Sequence, residues 1–142
     1  MREFVLDCSA TMAYFFKDET SACVDAAFEM LVVKGTALVP PIWPLEVANT
    51  CLSAERRKRL TIPDVEEIFS ILEMLPIEII PYEDLKSTWD VQSMARTHNL
   101  TAYDAAYLEL AKRKNLPLLT LDKKLKQSTE KAGVSLWTPA SD

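Results

Sequence analysis

Short apolar runs of three or four residues recur along the chain, separated by longer stretches in which apolar residues return every three or four positions. The first pattern marks buried strands, and the second marks helices with one buried face. Strands are predicted at Phe4–Leu6, Ala37–Val39, Ile77–Ile80, Leu118–Leu121 and Val134–Leu136. Helices are predicted at Ser9–Phe16, Ser21–Val33, Pro44–Arg57, Pro63–Met74, Glu83–Thr97, Ala102–Lys114 and Lys123–Ala132. Their alternation is that of an α/β fold with a five-stranded, mainly parallel sheet. Boundary residues agree. Pro44 suits a first helical turn, where its missing N–H leaves no partner wanting. Thr61 with Asp64, and Thr101 with Asp104, resemble capping boxes. Gly133 follows a helix where a left-handed residue is wanted.

Four acids break the apolar pattern: Asp7 in Phe4–Asp7, Glu46 in Ile42–Ala48, Asp104 in Ala102–Tyr107 and Asp122 in Leu118–Asp122. A buried, ionised carboxylate costs several kcal/mol unless a cation or a set of donors compensates it. Asp7 and Asp122 fall at the carboxyl ends of predicted strands, and Glu46 and Asp104 in the first turns of predicted helices. In open α/β sheets those positions share one rim, the rim where ligands bind. Each acid alone has a plain explanation as a helix cap or a partner of the helix dipole. Asp104, however, shares a core-facing stripe with Tyr107, Leu108 and Ala111. Glu46 shares a polar seam with Asn49, Thr50 and Ser53. The repetition therefore points to a metal site.

Composition narrows the chemistry. At 142 residues the chain is most simply one domain, spanning 1–142, with 49% hydrophobic and 26% charged residues. Neither a charged-then-apolar leader nor a span of ~20 apolar residues is present, so a soluble, cytoplasmic protein with no membrane partner is expected. Two glycines are too few for a phosphate-binding loop or a dinucleotide-binding turn. Three cysteines without close pairing and a single histidine, His98, argue against structural zinc and against a Ser–His–Asp nucleophile.

The net charge of −5 is near neutral once the four isolated acids are set aside. From Lys112 to Lys126 six basic residues accompany Asp122 alone, whereas from Asp64 to Asp90 eight acids face only Lys86. Such runs are usually solvated faces. The basic one adjoins two of the four acids, which makes Lys112, Arg113, Lys123, Lys124 and Lys126 candidates to hold a phosphate backbone.

Asp7 with Ser9, Glu46 followed by Asn49, the segment Thr101–Ala105 containing Asp104, and Thr120-Leu121-Asp122 together resemble the PIN-domain ribonucleases. In length and layout the chain is most similar to the VapC-type toxins of toxin–antitoxin pairs, and the resemblance covers essentially all of it. It implies a three-layer PIN-like sandwich, a Mg²⁺ or Mn²⁺ centre and endonucleolytic cleavage of RNA. Carried over residue by residue, it makes Asp7, Glu46, Asp104 and Asp122 the metal-binding and catalytic acids, with Ser9, Thr120 and Asn49 in support. A small antitoxin and a homodimer are the partners it implies. Hard oxygen donors independently favour Mg²⁺ or Mn²⁺ over softer metals.

Two other readings compete. One is a haloacid-dehalogenase-like phosphohydrolase with Asp7 as nucleophile, although Ser9 stands where its general acid belongs. The other is a non-catalytic interaction module on a PIN-like fold, its acids serving as caps.

Overall fold

The computed structural model describes residues 2–139. Four strands and seven helices follow in the order β1 (Arg2–Leu6), α1 (Cys8–Phe15), α2 (Ala22–Val33), β2 (Gly35–Val39), α3 (Trp43–Arg56), α4 (Ile62–Met74), β3 (Ile77–Ile79), α5 (Leu85–His98), α6 (Ala102–Lys114), β4 (Leu118–Leu119) and α7 (Lys123–Lys131).

All pairings are parallel, in the order β3-β2-β1-β4. Phe4, Val5 and Leu6 of β1 are wholly buried, as are Ala37 and Val39 of β2. Continuous apolar runs of this kind suit strands covered on both faces. Gly35 opens β2, where a Cβ would press on the Met30 side chain and come within 3.2 Å of its carbonyl oxygen in the last turn of α2.

The connections from β1 to β2 and from β2 to β3 advance in one direction, and the next returns past β1 to β4. Right-handed crossovers then carry α1–α4 and α5–α6 to opposite faces of the sheet. Between β1 and β4 the strand order reverses, and at such a switch point the carboxyl ends of the strands leave a crevice. The helices start where the chain marks them. Ser21, Thr61, Asp84 and Thr101 each accept a hydrogen bond from a first-turn amide, and Thr61 and Asp64 complete a capping box.

The sheet has four strands, where five are expected from the sequence. Leu136 makes a single parallel bridge with Leu118, flanked by Leu118 N–H to Ser135 O and Trp137 N–H to Leu118 O, each 2.9 Å. The shortness of β4 is the cause. After Leu119 the chain turns across the end of β1, where Leu121 N–H donates to Ser9 Oγ at 3.0 Å, leaving two residues as a template for a fifth strand. The predicted strand Leu118–Leu121 is shortened for the same reason.

Candidate active site

Asp7 follows β1 and caps α1. It is 4% exposed, and both its oxygens are engaged. Oδ1 accepts from Ser9 Oγ at 2.7 Å and from the Ala10 amide at 2.9 Å, and Oδ2 accepts from Thr120 Oγ1 at 2.5 Å. Burial pushes its pKa up to about 6 against the pull of these three bonds, and the nearby Asp122 pushes the same way. Thr120 also accepts from the Asp122 amide at 3.0 Å, tying the end of β4 to the end of β1.

Glu46 stands in the first turn of α3, half-buried, and accepts a hydrogen bond from the Tyr107 hydroxyl. Burial raises its pKa, the Tyr107 bond opposes this, and Asp104 adds to the rise. Asp104 lies in the first turn of α6, where burial and Asp122 raise its pKa and Lys124 and Thr101 lower it. Asp122 caps α7 through the Leu125 amide at 2.9 Å.

These four carboxylates, delivered by four separate segments, line one cleft of ≈ 510 Å³ together with Ser9 and Tyr107. The donor set is all hard oxygen, and Asp122 raises the pKa of Asp7 and Asp104 while Asp104 raises that of Glu46, which fits a divalent cation. Among the described residues no three of them are already gathered closely enough to hold an ion. Asp7 is turned onto Ser9, the Ala10 amide and Thr120, Glu46 onto Tyr107, and Asp122 onto the Leu125 amide. Cys8 also lines the cleft. Burial pushes its thiol up to about 12, Thr50 opposing and Glu46 and Asp7 adding, so it is not a nucleophile at neutral pH.

Of the expected supporting residues, Ser9 and Thr120 both donate hydrogen bonds to Asp7. Asn49 instead lines an adjoining apolar groove with Leu45, Leu52 and Tyr103, and Thr50 takes the place in the acid cleft. The basic candidates divide. Lys123 and Lys124 open α7 beside Asp122, and Lys126 lies one turn further on. Lys112 and Arg113 end α6, at the opposite end of that helix from Asp104. There Lys112 borders a cavity with Pro117 and Gly133 at the amino end of β4, and Arg113 is held by Glu109 at 2.9 Å. The reason is geometric: α6 spans about 18 Å, so adjacency in sequence to Asp122 is not adjacency in space.

Sequence reasoning missed Tyr107 as a Glu46 partner, and it missed Arg57 and Arg59, both of which line the acid cleft. The unbroken basic run Arg56–Arg59 was the available signal for the arginines.

The sequence matches the PIN domain family over residues 4–131, and the chain belongs to that family. Comparison with curated proteins gives no match. The fold is similar to that of PAE2754 from Pyrobaculum aerophilum, with 21% identity, a TM-score of 0.63, and 89% of this chain and 86% of that one covered. It is also similar to VapBC2 from Rickettsia felis, solved bound to a DNA fragment from its promoter, at 16% identity and a TM-score of 0.66 over 95% of this chain and 97% of that one. VapC20 from Mycobacterium tuberculosis, described as a Sarcin-Ricin loop cleaving toxin, has 13% identity and a TM-score of 0.66 over 96% of this chain and 99% of that one. At these identities the likeness is one of fold.

Proposed function

We propose that this chain is a metal-dependent endoribonuclease, the toxin of a type II toxin–antitoxin pair, whose partner is a small antitoxin protein. The observation that carries this reading is the convergence of Asp7, Glu46, Asp104 and Asp122 on one cleft at the switch point of the sheet. Membership of the PIN domain family and the fold shared with VapC proteins support it.

Asp7, Glu46, Asp104 and Asp122 are the residues that would hold Mg²⁺ or Mn²⁺. Such an ion, when bound, lowers the pKa of water and neutralises charge growing on a phosphate. Ser9, Thr120 and the Ala10 amide fix the Asp7 carboxylate from behind, and Tyr107 fixes Glu46. Asp104 and Asp122 are more open to solvent than Asp7, and one of them orients the attacking water. Water oxygen bonds to phosphorus as the bond to the leaving oxygen breaks, the water giving up a proton to solvent and the leaving oxygen taking one up, which cuts the strand. Asp7 makes no covalent intermediate in this scheme, since both its oxygens are engaged and Ser9 stands beside it as a hydrogen-bond donor rather than as an acid.

The test is cleavage of RNA by the wild type and by Asp7→Asn and Asp104→Asn, with and without Mn²⁺. Cutting by the wild type only with metal, and loss in both variants with circular dichroism unchanged, is the expected result. Normal cleavage by both variants would overturn the assignment of the acids.

A further inference from the structure

The acid cleft has a cationic wall that the carboxylates do not account for. Arg57 and Arg59 both line it, beyond Thr50 and Ala54, yet their situations differ. The Arg59 guanidinium is spent on the fold: it donates to Glu19 at 3.0 Å and to Asp18 at 3.0 and 3.2 Å, and lies 4.4 Å from the centre of the Phe16 ring. Arg57 is exposed and has one partner, a neutral one, the Ser53 hydroxyl at 3.1 Å from Nη2. Among the described residues its charge meets no carboxylate.

We propose that Arg57 is a phosphate-binding residue that holds a phosphodiester of the RNA strand flanking the one over the acids, an inference that rests on the ribonuclease reading above. Glu46 and Arg57 stand on the same helix, α3 and its cap. Side chains on a helix lean toward its amino end, and the bond to Ser53 puts the guanidinium at the level of that residue. Seven residues of helix separate Ser53 from Glu46, about 10 Å along the axis. That is too far for one phosphate group to meet both, and it suits the next phosphates of the same strand. The guanidinium fork matches phosphate oxygens in shape and keeps its charge at any working pH. Five donors are available on such a group, and Ser53 takes one. Ser53 thereby aims the fork while leaving the rest for a ligand.

The plain alternative is that Arg57 only complements the carboxyl end of α3. That role predicts a change in stability and none in substrate binding. The two are separated by steady-state cleavage of a single-stranded RNA oligonucleotide in Mn²⁺, at several salt concentrations. The proteins compared are wild type, Arg57→Ala, Arg57→Lys and Lys34→Ala. Lys34 precedes β2 at the other end of the sheet and serves as a charge-matched control.

Arg57→Ala should raise KM roughly tenfold with kcat within about twofold, and lower the slope of log KM against log salt by about one. Arg57→Lys should recover part of the loss, and Lys34→Ala should match wild type. A wild-type KM and salt slope in Arg57→Ala, or a loss confined to thermal stability, would overturn the assignment of Arg57 and leave the ribonuclease reading standing. If the wild type cuts nothing, the ribonuclease reading fails. Fluorescence anisotropy of labelled RNA in Ca²⁺ then decides Arg57 on its own: tenfold weaker binding by Arg57→Ala supports it, and equal or absent binding by both proteins overturns it.

Discussion

Asp7 is held at a cost to the fold. Raising a buried carboxyl from 3.8 to about 6 opposes folding at neutral pH by on the order of 3 kcal/mol, at 1.36 kcal/mol per pKa unit. Between pH 4 and 6 the folded Asp7 keeps a proton that the unfolded chain has already released, so the stability it contributes falls as pH rises through that window. Asparagine keeps the shape and removes the charge. In the presence of a chelator, Asp7→Asn should therefore be more stable than wild type at pH 7.5, by about 2 kcal/mol. The advantage should disappear as pH falls to 4, where both forms are neutral. Thermal melts of the two proteins across that range check the sign, and a variant less stable than wild type at pH 7.5 would mean that the carboxylate is a structural asset. Tyr107, 2% exposed, supplies the complementary case. Its hydroxyl sits in the core to reach Glu46, so Tyr107→Phe should cost about 1 kcal/mol and weaken stabilisation by Mn²⁺, both readable in the same melts. That hydroxyl was invisible in the sequence because a tyrosine on a buried helical stripe reads as packing. Charges announce themselves by interrupting apolar runs, which is why the acids could be found and Tyr107 could not.

At the scale of elements, the acids serve twice, since Asp7 and Asp122 each cap the helix that follows them. The cap and the carboxylate can be separated at Asp122, because serine caps as well as aspartate does. Asp122→Ala should lose about 1 kcal/mol together with RNA cleavage, whereas Asp122→Ser should keep the stability and lose the cleavage. Retained cleavage in Asp122→Ser would show that the residue is a cap alone. Elements whose ends carry caps were placed closely from the sequence: α4 begins at Ile62 after Thr61, and α6 at Ala102 after Thr101. What failed were features set by distant parts of the chain. The pattern Val134–Leu136 reads as a strand, yet its neighbour β4 is cut short where Thr120 and Leu121 bond across to Asp7 and Ser9. Likewise, the basic residues between Lys112 and Lys126 lie close together in sequence, but α6 carries the first of them to the far end of the sheet. Periodicity reports which face of an element is buried, and it is silent on how far the element travels.

At the scale of the whole molecule, the order β3-β2-β1-β4 brings side chains from positions 7, 46, 104 and 122 to a single rim. Burial there raises the pKa of Asp7, Glu46 and Asp104, their acidic neighbours add to the rise, and hydrogen bonds to Ser9, Thr120, Tyr107 and Thr101 offset it only in part. If a divalent cation binds these carboxylates in the folded state alone, linkage converts that binding into stability. At a hundred times its dissociation constant, a cation binding only the folded state adds about 2.7 kcal/mol. Mn²⁺ and Mg²⁺ should raise the melting temperature of the wild type by several degrees, and a chelator should reverse the rise. The gain should be larger at pH 7.5 than at pH 5, because the raised carboxyls must lose their protons before they can bind metal. Asp7→Asn, though more stable without metal, should show little or none of the gain, so that the order of stability of the two proteins narrows or inverts as Mn²⁺ is added. A wild type whose melting temperature ignores both cations at pH 7.5 would reduce the four acids to helix caps and make the chain an interaction module on a PIN fold.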